Sequence, residues 1–204
     1  MGMGPTALQR HVAYFDPEGT GVITLRQTRE GMRRLGVPLP LRVLLSLIIN
    51  GMLGYVTQGH PSMVIRIDRI AQGKHPFDSG TFDRSGEFDT TAFDALFASA
   101  ASTGDATDTL TADEMHALIT SRGNQMVDRG PLAGALGRWF TVREVNLFFC
   151  VAADTTKTVN GRAVPAVRKK TMWAFYEGTL LPDLARRRVL VEAGCVRRRV
   201  PGKA

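Results

Sequence analysis

The segment from Leu8 to Gln27, LQRHVAYFDPEGTGVITLRQ, has the spacing of a helix that runs into a calcium-binding loop of twelve residues. Such a loop places ligand oxygens at positions 1, 3, 5, 9 and 12, a backbone carbonyl at 7, and glycine at position 6 for the turn. The chain supplies this frame in order from Asp16: Glu18, Thr20, Gly21, Val22, an apolar Ile23, Thr24 and Gln27. The frame predicts a helix–loop–helix unit over residues 6–36.

The ligand set of this loop is depleted in charge. Only Asp16 and Glu18 contribute carboxylates, and Gln27 offers one carbonyl oxygen where glutamate would offer two. The predicted metal ligands are therefore Asp16, Glu18, Thr20, the backbone carbonyl of Val22, and Gln27. We expect calcium binding at this site to be weak or lost.

A nearly uncharged apolar run, Val43–Val56, follows two prolines. Fourteen helical residues span about 21 Å, whereas the hydrocarbon core of a bilayer is about 30 Å thick. A full membrane span is therefore not expected, and two interpretations stay open: a buried core helix or a segment in a lipid interface. We assign residues 37–60 to an apolar segment at a membrane or droplet interface.

The rest of the chain favours helices. Apolar spacing predicts a helix through Phe93 and Phe97, a core helix over 139–153, and a last helix through Met172 and Phe175. Residues 61–70 fit a strand or a short helix, and residues 103–114 resemble a calcium loop that no longer binds an ion. A polar loop is expected at KTVNGR, residues 157–162. The predicted fold class is mostly α, with EF-hand-like helix–loop–helix pairs and an apolar insertion after the first hand.

The net charge of +7 is concentrated near the C-terminus, because seven basic residues and one acidic residue lie between Arg186 and Ala204. A basic tail (186–204) thus follows a nearly neutral body. We interpret it as a solvated segment or as one that is loosely attracted to an anionic surface. It does not favour a nucleic-acid groove. Cys150 and Cys195 are poorly placed to pair, and no signal-peptide pattern opens the chain, so we expect a reducing, non-secreted setting.

The order of these blocks, together with KHPFDSGTFDRSGEFDTTAFDALF at residues 74–97, resembles the caleosins. These are EF-hand haem proteins of lipid droplets that include plant and fungal peroxygenases. The resemblance extends from about Ala7 to Leu184, and we assign residues 61–185 to a haem-associated helical region with a degenerate EF-hand-like unit. It implies one EF-hand, then a hydrophobic segment with a proline-rich knot, and two histidines associated with haem.

The two family histidines match His11 and His75, which are therefore the predicted catalytic and haem-binding residues. The chain has no CxxCH attachment motif, so the implied cofactor is a non-covalent haem b held by histidine. One histidine must be the proximal ligand, while the other leaves the iron or moves a proton from the distal side. His60 and His116 match no family motif, and we interpret them as structural.

The resemblance implies transfer of one oxygen atom from a fatty-acid hydroperoxide to an unsaturated fatty acid. Phe15, Phe77 and Phe82 flank the motifs and fit either an acyl channel or the core. The implied location is the cytoplasmic face of a lipid droplet or of the endoplasmic reticulum membrane, with calcium as a weak or lost second cofactor. Residues 54–62 contain one proline where the family knot has several, so deep insertion into lipid stays open.

Two alternatives to an enzyme remain at this stage: a non-catalytic protein of the lipid-droplet surface, and a weakly calcium-responsive binding module. The sequence does not indicate the oligomeric state.

Overall fold

The computed structural model describes residues 4–73, 79–100, 108–122 and 131–192. These residues are mostly helical, with two small antiparallel sheets, and the predicted fold class is confirmed to that extent. The chain divides into two compact units. The first comprises residues 1–74, 82–88 and 174–198, and the second comprises residues 75–81, 89–173 and 199–204.

The first unit begins with the predicted helix–loop–helix. Helix α1 spans Ala7–Ala13, strand β1 spans Val22–Ile23, and helix α2 spans Leu25–Arg34. Each helix starts with a capping box. The threonine side chain accepts a hydrogen bond from the backbone N–H three residues later, and the glutamine at that position accepts one from the backbone N–H of the threonine. The helices form where local sequence predicts them, whereas the EF-hand-like pairing of such units stays a prediction.

Residues 61–70 contain both of the elements that the sequence left open. Strand β2, Ile65–Arg66, pairs antiparallel with β1, and a 3-10 helix follows at Ile67–Gly73. Ile23, Ile65 and Ile70 form the buried core of this region. The partly buried side chains packed against that core include Leu8, Val12, Phe15, Ile49, Leu53 and Ile67.

The apolar run lies within α3, a helix of 20 residues from Leu39 to Gln58. The helix begins four residues before this run and ends two residues after it. Pro38 is the N-cap and Pro40 lies in the first turn, where backbone N–H groups have no partner within the helix, so the prolines cost no hydrogen bond. Gly59 ends the helix in the left-handed region, with φ of 77°.

The second unit contains helices α4 (Thr90–Ala100), α5 (Ala112–Arg122) and α6 (Pro131–Ala152). Strand β3 (Thr109–Thr111) pairs with β5 (Arg162–Arg168), and β5 pairs with β4 (Thr155–Val159). Phe93, Leu110, Val167 and Met172 are buried in this unit. Helix α7 (Lys169–Glu177) begins in it and ends in the first unit.

The polar loop expected at residues 157–162 is wrong. These residues belong to the β4–β5 hairpin, whose turn is Asn160-Gly161, both with positive φ. An Asn-Gly pair is the strongest short sequence signal for a two-residue hairpin turn, and it was available in KTVNGR. The segment was interpreted instead as the polar loop of a further helix–loop–helix unit.

The C-terminal boundary at residue 186 is also too early for the start of a tail. Helix α8 spans Leu180–Glu192, so Arg186, Arg187 and Arg188 lie on it. Asp183 forms ion pairs with Arg186 and Arg187. The guanidinium of Arg188 occupies the space beside Gly36, just after the end of α2.

Candidate functional site

Helix α1 is held at its start by a tight turn over residues 83–87. The backbone N–H of Leu8 donates to the carbonyl of Gly86 at 2.9 Å, and that of Ala7 donates to the Glu87 carboxylate at 3.3 Å. Gly86 has φ of +89°, and an added Cβ would lie 3.2 Å from the Leu8 Cβ atom. The turn therefore fixes the position of α1 through one backbone hydrogen bond and one hydrogen bond to the Glu87 side chain.

His11 lies in the last turn of α1 and is partly buried. Its Nδ1 atom is 2.9 Å from the backbone carbonyl oxygen of Phe175, and its ring meets the Phe175 ring edge-on at 4.4 Å between centroids. Because a carbonyl oxygen only accepts, Nδ1 must carry the proton of this hydrogen bond. In a neutral ring, Nε2 is then the nitrogen with the basic lone pair.

An aromatic cluster extends from Phe175. Tyr176 contacts the Phe175 ring at 5.4 Å, Phe82 at 5.4 Å and Phe88 at 5.7 Å, with the Phe88 ring stacked on it. Phe82 thus lies in this cluster, whereas Phe15 packs against the isoleucine core of the first unit. Phe77 lies outside the described residues. Phe88 and Tyr176 are members that the sequence did not single out.

His75, the second predicted haem ligand, lies outside the described residues. The other two histidines have local partners: His60 Nδ1 contacts the Pro61 carbonyl at 3.2 Å, and His116 Nε2 contacts Asn146 Oδ1 at 3.0 Å. Both contacts are exposed, and the structural role of these histidines stays a prediction.

The predicted calcium ligands bond to one another and to the loop backbone. Asp16 is buried and accepts from the Thr20 hydroxyl at 2.9 Å and from the Gly21 N–H at 2.7 Å. The Thr20 hydroxyl also contacts the Val22 carbonyl at 3.2 Å. Within the described residues, no group of three or more His, Cys, Asp or Glu could hold a metal ion. Calcium binding stays a prediction.

Gln27 has a structural role that the sequence analysis missed. Its Oε1 atom accepts from the Thr24 N–H and the Thr24 hydroxyl, both at 2.8 Å, which is the capping box of α2. The signal was the Thr-x-x-Gln spacing at the start of the helix. Glu18, by contrast, is exposed.

Glu114, at the last position of the degenerate loop at 103–114, has two partners. Its carboxylate accepts from the Thr111 N–H at 2.8 Å and pairs with the Lys157 ammonium at 2.5 Å. The Lys157 side chain is 2% exposed and that of Glu114 is 11% exposed. The positive charge beside this carboxylate is therefore a lysine of β4. Asp105 and Thr107 lie outside the described residues.

A separate surface cavity of about 310 Å³ lies beside the first loop, and its lining includes Tyr14, Phe15, Glu18, Gln27 and Glu30. Burial raises the pKa of Tyr14 to about 12, and its hydroxyl donates to the Gly31 carbonyl at 2.9 Å. Hydrogen bonds from Arg33 lower the pKa of Glu30 to about 2. His11 does not line this cavity.

Helix α3 buries an unusual number of polar side chains. Ser46, Asn50 and Thr57 are each 0% exposed, with Gly54 between them, while Leu45 is buried at 2% and Ile49 and Leu53 pack against the isoleucine core. Asn50 Nδ2 donates to the carbonyls of Met63 at 2.8 Å and Ile23 at 3.3 Å, and the Thr57 hydroxyl accepts from the Arg66 N–H at 3.1 Å.

The outer stripe of α3 is apolar. Leu44 is 44% exposed, Leu47 47%, Met52 43% and Tyr55 56%. Large apolar side chains exposed along one helix are typical of interaction sites. Among the described residues, α3 is also the helix that is long and apolar enough to cross a membrane.

Comparison with known proteins gives one family model and relatives with similar names. A family model described as "Caleosin related protein" matches residues 3–184. The chain is 30% identical to a protein named "Probable peroxygenase 4" from Arabidopsis thaliana, over 89% of this chain and 86% of the relative. It is 26% identical to a "Peroxygenase" from Lilium longiflorum, over 90% of this chain and 71% of the relative. No solved structure matches.

Proposed function

The chain belongs to the caleosin family, and from this premise we propose that it is a haem peroxygenase. In the proposed reaction, a fatty-acid hydroperoxide gives one oxygen atom to the double bond of an unsaturated fatty acid. The hydroperoxide becomes an alcohol and the acceptor becomes an epoxide, so the atoms balance. The names of the two relatives support a peroxygenase at the level of the family.

The single structural observation that carries the proposal is the environment of His11. A histidine that binds a metal almost always donates its other ring N–H to a carboxylate, a backbone carbonyl or water. The bond from Nδ1 to the Phe175 carbonyl meets this requirement and directs Nε2 to the ligand role. The chemistry of His11 therefore fits an iron ligand, and His75 is the second histidine of the proposal.

Haem b, when bound, would supply the iron chemistry that cleaves the O–O bond of the hydroperoxide. The residues of this chain have the remaining tasks. His11 would hold the iron, and His75 would move a proton at the hydroperoxide oxygens, because two permanent ligands would leave no open position. The aromatic cluster of Phe82, Phe88, Phe175 and Tyr176 would exclude water and contact the acyl chain.

We place this activity at a lipid surface, on the cytoplasmic face of a lipid droplet or of the endoplasmic reticulum. Caleosins are in general associated with membranes or lipid droplets, and the exposed apolar stripe of α3 supports contact of this chain with lipid. The polar stripe on the opposite side is bonded to β1, β2 and the segment before β2. Those bonds favour a helix that lies in the interface over one that crosses it.

We retain calcium as a weak or lost cofactor of an EF-hand-derived loop. The loop retains its turn glycine and its first carboxylate, while the side chain of Gln27 is used in a helix cap. A non-catalytic lipid-surface protein is the second candidate, because α3 would serve that role without any haem.

A spectrum of the purified protein separates these candidates, since the enzyme should bind haemin with a Soret band and a surface protein should not. Epoxide formation from a fatty-acid hydroperoxide should then be measured for alanine variants of His11, His75, His60 and His116. Loss of the proximal ligand should remove haem and activity together, whereas loss of a distal histidine should slow transfer by about 10²–10⁴-fold.

The His60 and His116 variants are the controls and should keep both properties. If the His11 and His75 variants retain full haem content and full activity, the assignment is wrong.

A further inference from the structure

Helix α7 ends in a cap that satisfies its last carbonyl groups. The Thr179 N–H donates to the Ala174 carbonyl at 2.9 Å, and the Gly178 N–H donates to the Phe175 carbonyl at 3.1 Å. Gly178 has φ of +86°. These two bonds around a left-handed glycine are a Schellman motif.

The carbonyl of Phe175 in this motif has a second partner. A carbonyl oxygen has two lone pairs, and here one accepts from Gly178 while the other accepts from His11 Nδ1 at 2.9 Å. The acceptor is a main-chain group at the C-terminal end of a helix, where the helix dipole favours donated positive charge. The cap therefore fixes the tautomer of His11 with the proton on Nδ1.

Gly178 also sets how closely α1 can approach. A Cβ atom at this position would lie 2.6 Å from the His11 backbone nitrogen, 2.7 Å from the Arg10 carbonyl carbon and 2.9 Å from the His11 Cα atom. These are backbone atoms of α1, which cannot move aside as a flexible side chain could. Glycine is thus required here for its backbone conformation and for the contact with His11.

Two further contacts hold the same end of α1. The Phe175 ring lies edge-on to the imidazole at an interplanar angle of 72°, and Arg10 Nε is 3.5 Å from the Glu177 carbonyl. The end of α7 therefore contacts α1 in three ways. The carbonyl and the ring of Phe175 both contact His11, and the Glu177 carbonyl contacts Arg10.

We propose that the C-terminal cap of α7, formed by the Phe175 carbonyl and Gly178, is the positioning element of His11 and makes Nε2 its iron-binding nitrogen. The cap residues act through His11 and are not catalytic. The hydrogen bond to the carbonyl keeps the proton of the neutral ring on Nδ1, and the close backbone contact fixes the position of His11 relative to the end of α7. The tautomer of His11 is independent of the proposed function. The iron-binding role of Nε2 rests on the proposed function.

The first test uses the full-length protein without haem. Long-range ¹H–¹⁵N correlation spectra of uniformly labelled protein report which nitrogen of each histidine carries the proton. His11 should show a protonated Nδ1 and an unprotonated Nε2. His116, whose Nε2 atom faces Asn146 Oδ1, should show the opposite tautomer and serves as the internal reference. A His11 ring protonated on Nε2 at neutral pH would overturn the proposal, and this result needs no variant.

The second test compares Gly178→Ala with Gly59→Ala. Both glycines end a helix at positive φ, but nothing lies within 4 Å of a Cβ atom at Gly59. The backbone strain is therefore matched, and only Gly178→Ala should displace His11. In haemin titrations followed at the Soret band, Gly178→Ala should weaken binding by about 10- to 100-fold relative to Gly59→Ala. Equal haemin affinity in the two variants would contradict the proposal.

The two tests separate this inference from the function it rests on. A protein that shows the Nδ1-protonated tautomer but does not bind haemin would refute the proposed function and the iron-binding role of Nε2. A protein that binds haemin with His11 protonated on Nε2 would keep the proposed function and refute the cap as the positioning element.

Discussion

At the scale of single residues, the first loop combines a retained frame with a depleted set of ligands. Asp16 still accepts from the Gly21 N–H at the turn, as the first carboxylate of a calcium loop would. Gln27 instead caps α2 through Thr24, so the last ligand position has a structural task. A glutamate can perform the same capping task, because the capping box accepts either residue.

We therefore expect Gln27→Glu to keep α2 intact and to strengthen calcium binding by at least about tenfold, since it adds a third carboxylate that can bind with two oxygens. Isothermal titration calorimetry of the two proteins measures the change. Gln72→Glu, at an exposed position of the 3-10 helix, is the control for added charge alone. Micromolar affinity in the unchanged protein would contradict the prediction that its site is weak or lost.

At the scale of elements, α3 shows how a helix of apolar composition can be fixed by its polar residues. Ser62, which precedes β2, approaches the helix so closely that a Cβ atom at Gly54 would lie 2.2 Å from the Ser62 carbonyl oxygen. The Ser62 carbonyl is a backbone group next to β2, so it cannot move aside as a flexible side chain could. The helix therefore needs glycine at this position for its packing, rather than for its φ.

Two substitutions in the same helix should have opposite effects. Gly54→Ala should lower the free energy of unfolding by about 1–3 kcal/mol, the usual cost of overpacking. Gly51→Ala should raise it by about 0.5–1 kcal/mol, because alanine favours a helix and its Cβ would meet only the Met63 sulfur, at 3.8 Å. Urea unfolding followed by circular dichroism measures both. Equal effects of the two substitutions would show that this close approach is absent.

At the scale of the whole molecule, binding to a lipid surface depends on which apolar side chains and which positive charges are exposed. The outer stripe of α3 contributes four large apolar side chains that are each at least 43% exposed. Much of the positive charge lies at the C-terminal end, where α8 carries Arg186 and Arg187 with side chains 72% exposed. An apolar surface and exposed arginines are two separate contributions to binding an anionic lipid surface.

Vesicle flotation should detect this surface. Leu47→Asp or Met52→Asp should weaken binding by at least about tenfold, because burying one such side chain in lipid contributes about 1.5–3 kcal/mol. Val142→Asp is the matched control, since Val142 is 43% exposed on α6.

Unchanged binding of the α3 variants would contradict the assignment of this face to lipid. Protease-accessible ends on opposite sides of a bilayer would contradict the interfacial orientation.

The sequence by itself determined the features that depend on neighbours along the chain. The loop frame predicted a helix–loop–helix unit over residues 6–36, where α1 and α2 lie, and the order of motifs indicated the caleosin family, which the comparisons confirmed. The β4–β5 hairpin was also encoded locally, in Asn160-Gly161, but its signal was not used.

The tertiary structure decided the features that depend on contacts between distant residues. The composition of α3 allowed a core helix or an interfacial one, and only its docking on β1 and β2 shows that the polar stripe is buried and the apolar stripe exposed. In the same way, the sequence suggested His11 as a ligand without indicating which nitrogen would bind. The position of the ring proton on Nδ1 comes from the Phe175 carbonyl, 164 residues away, because a hydrogen bond between distant residues exists only once the chain has folded.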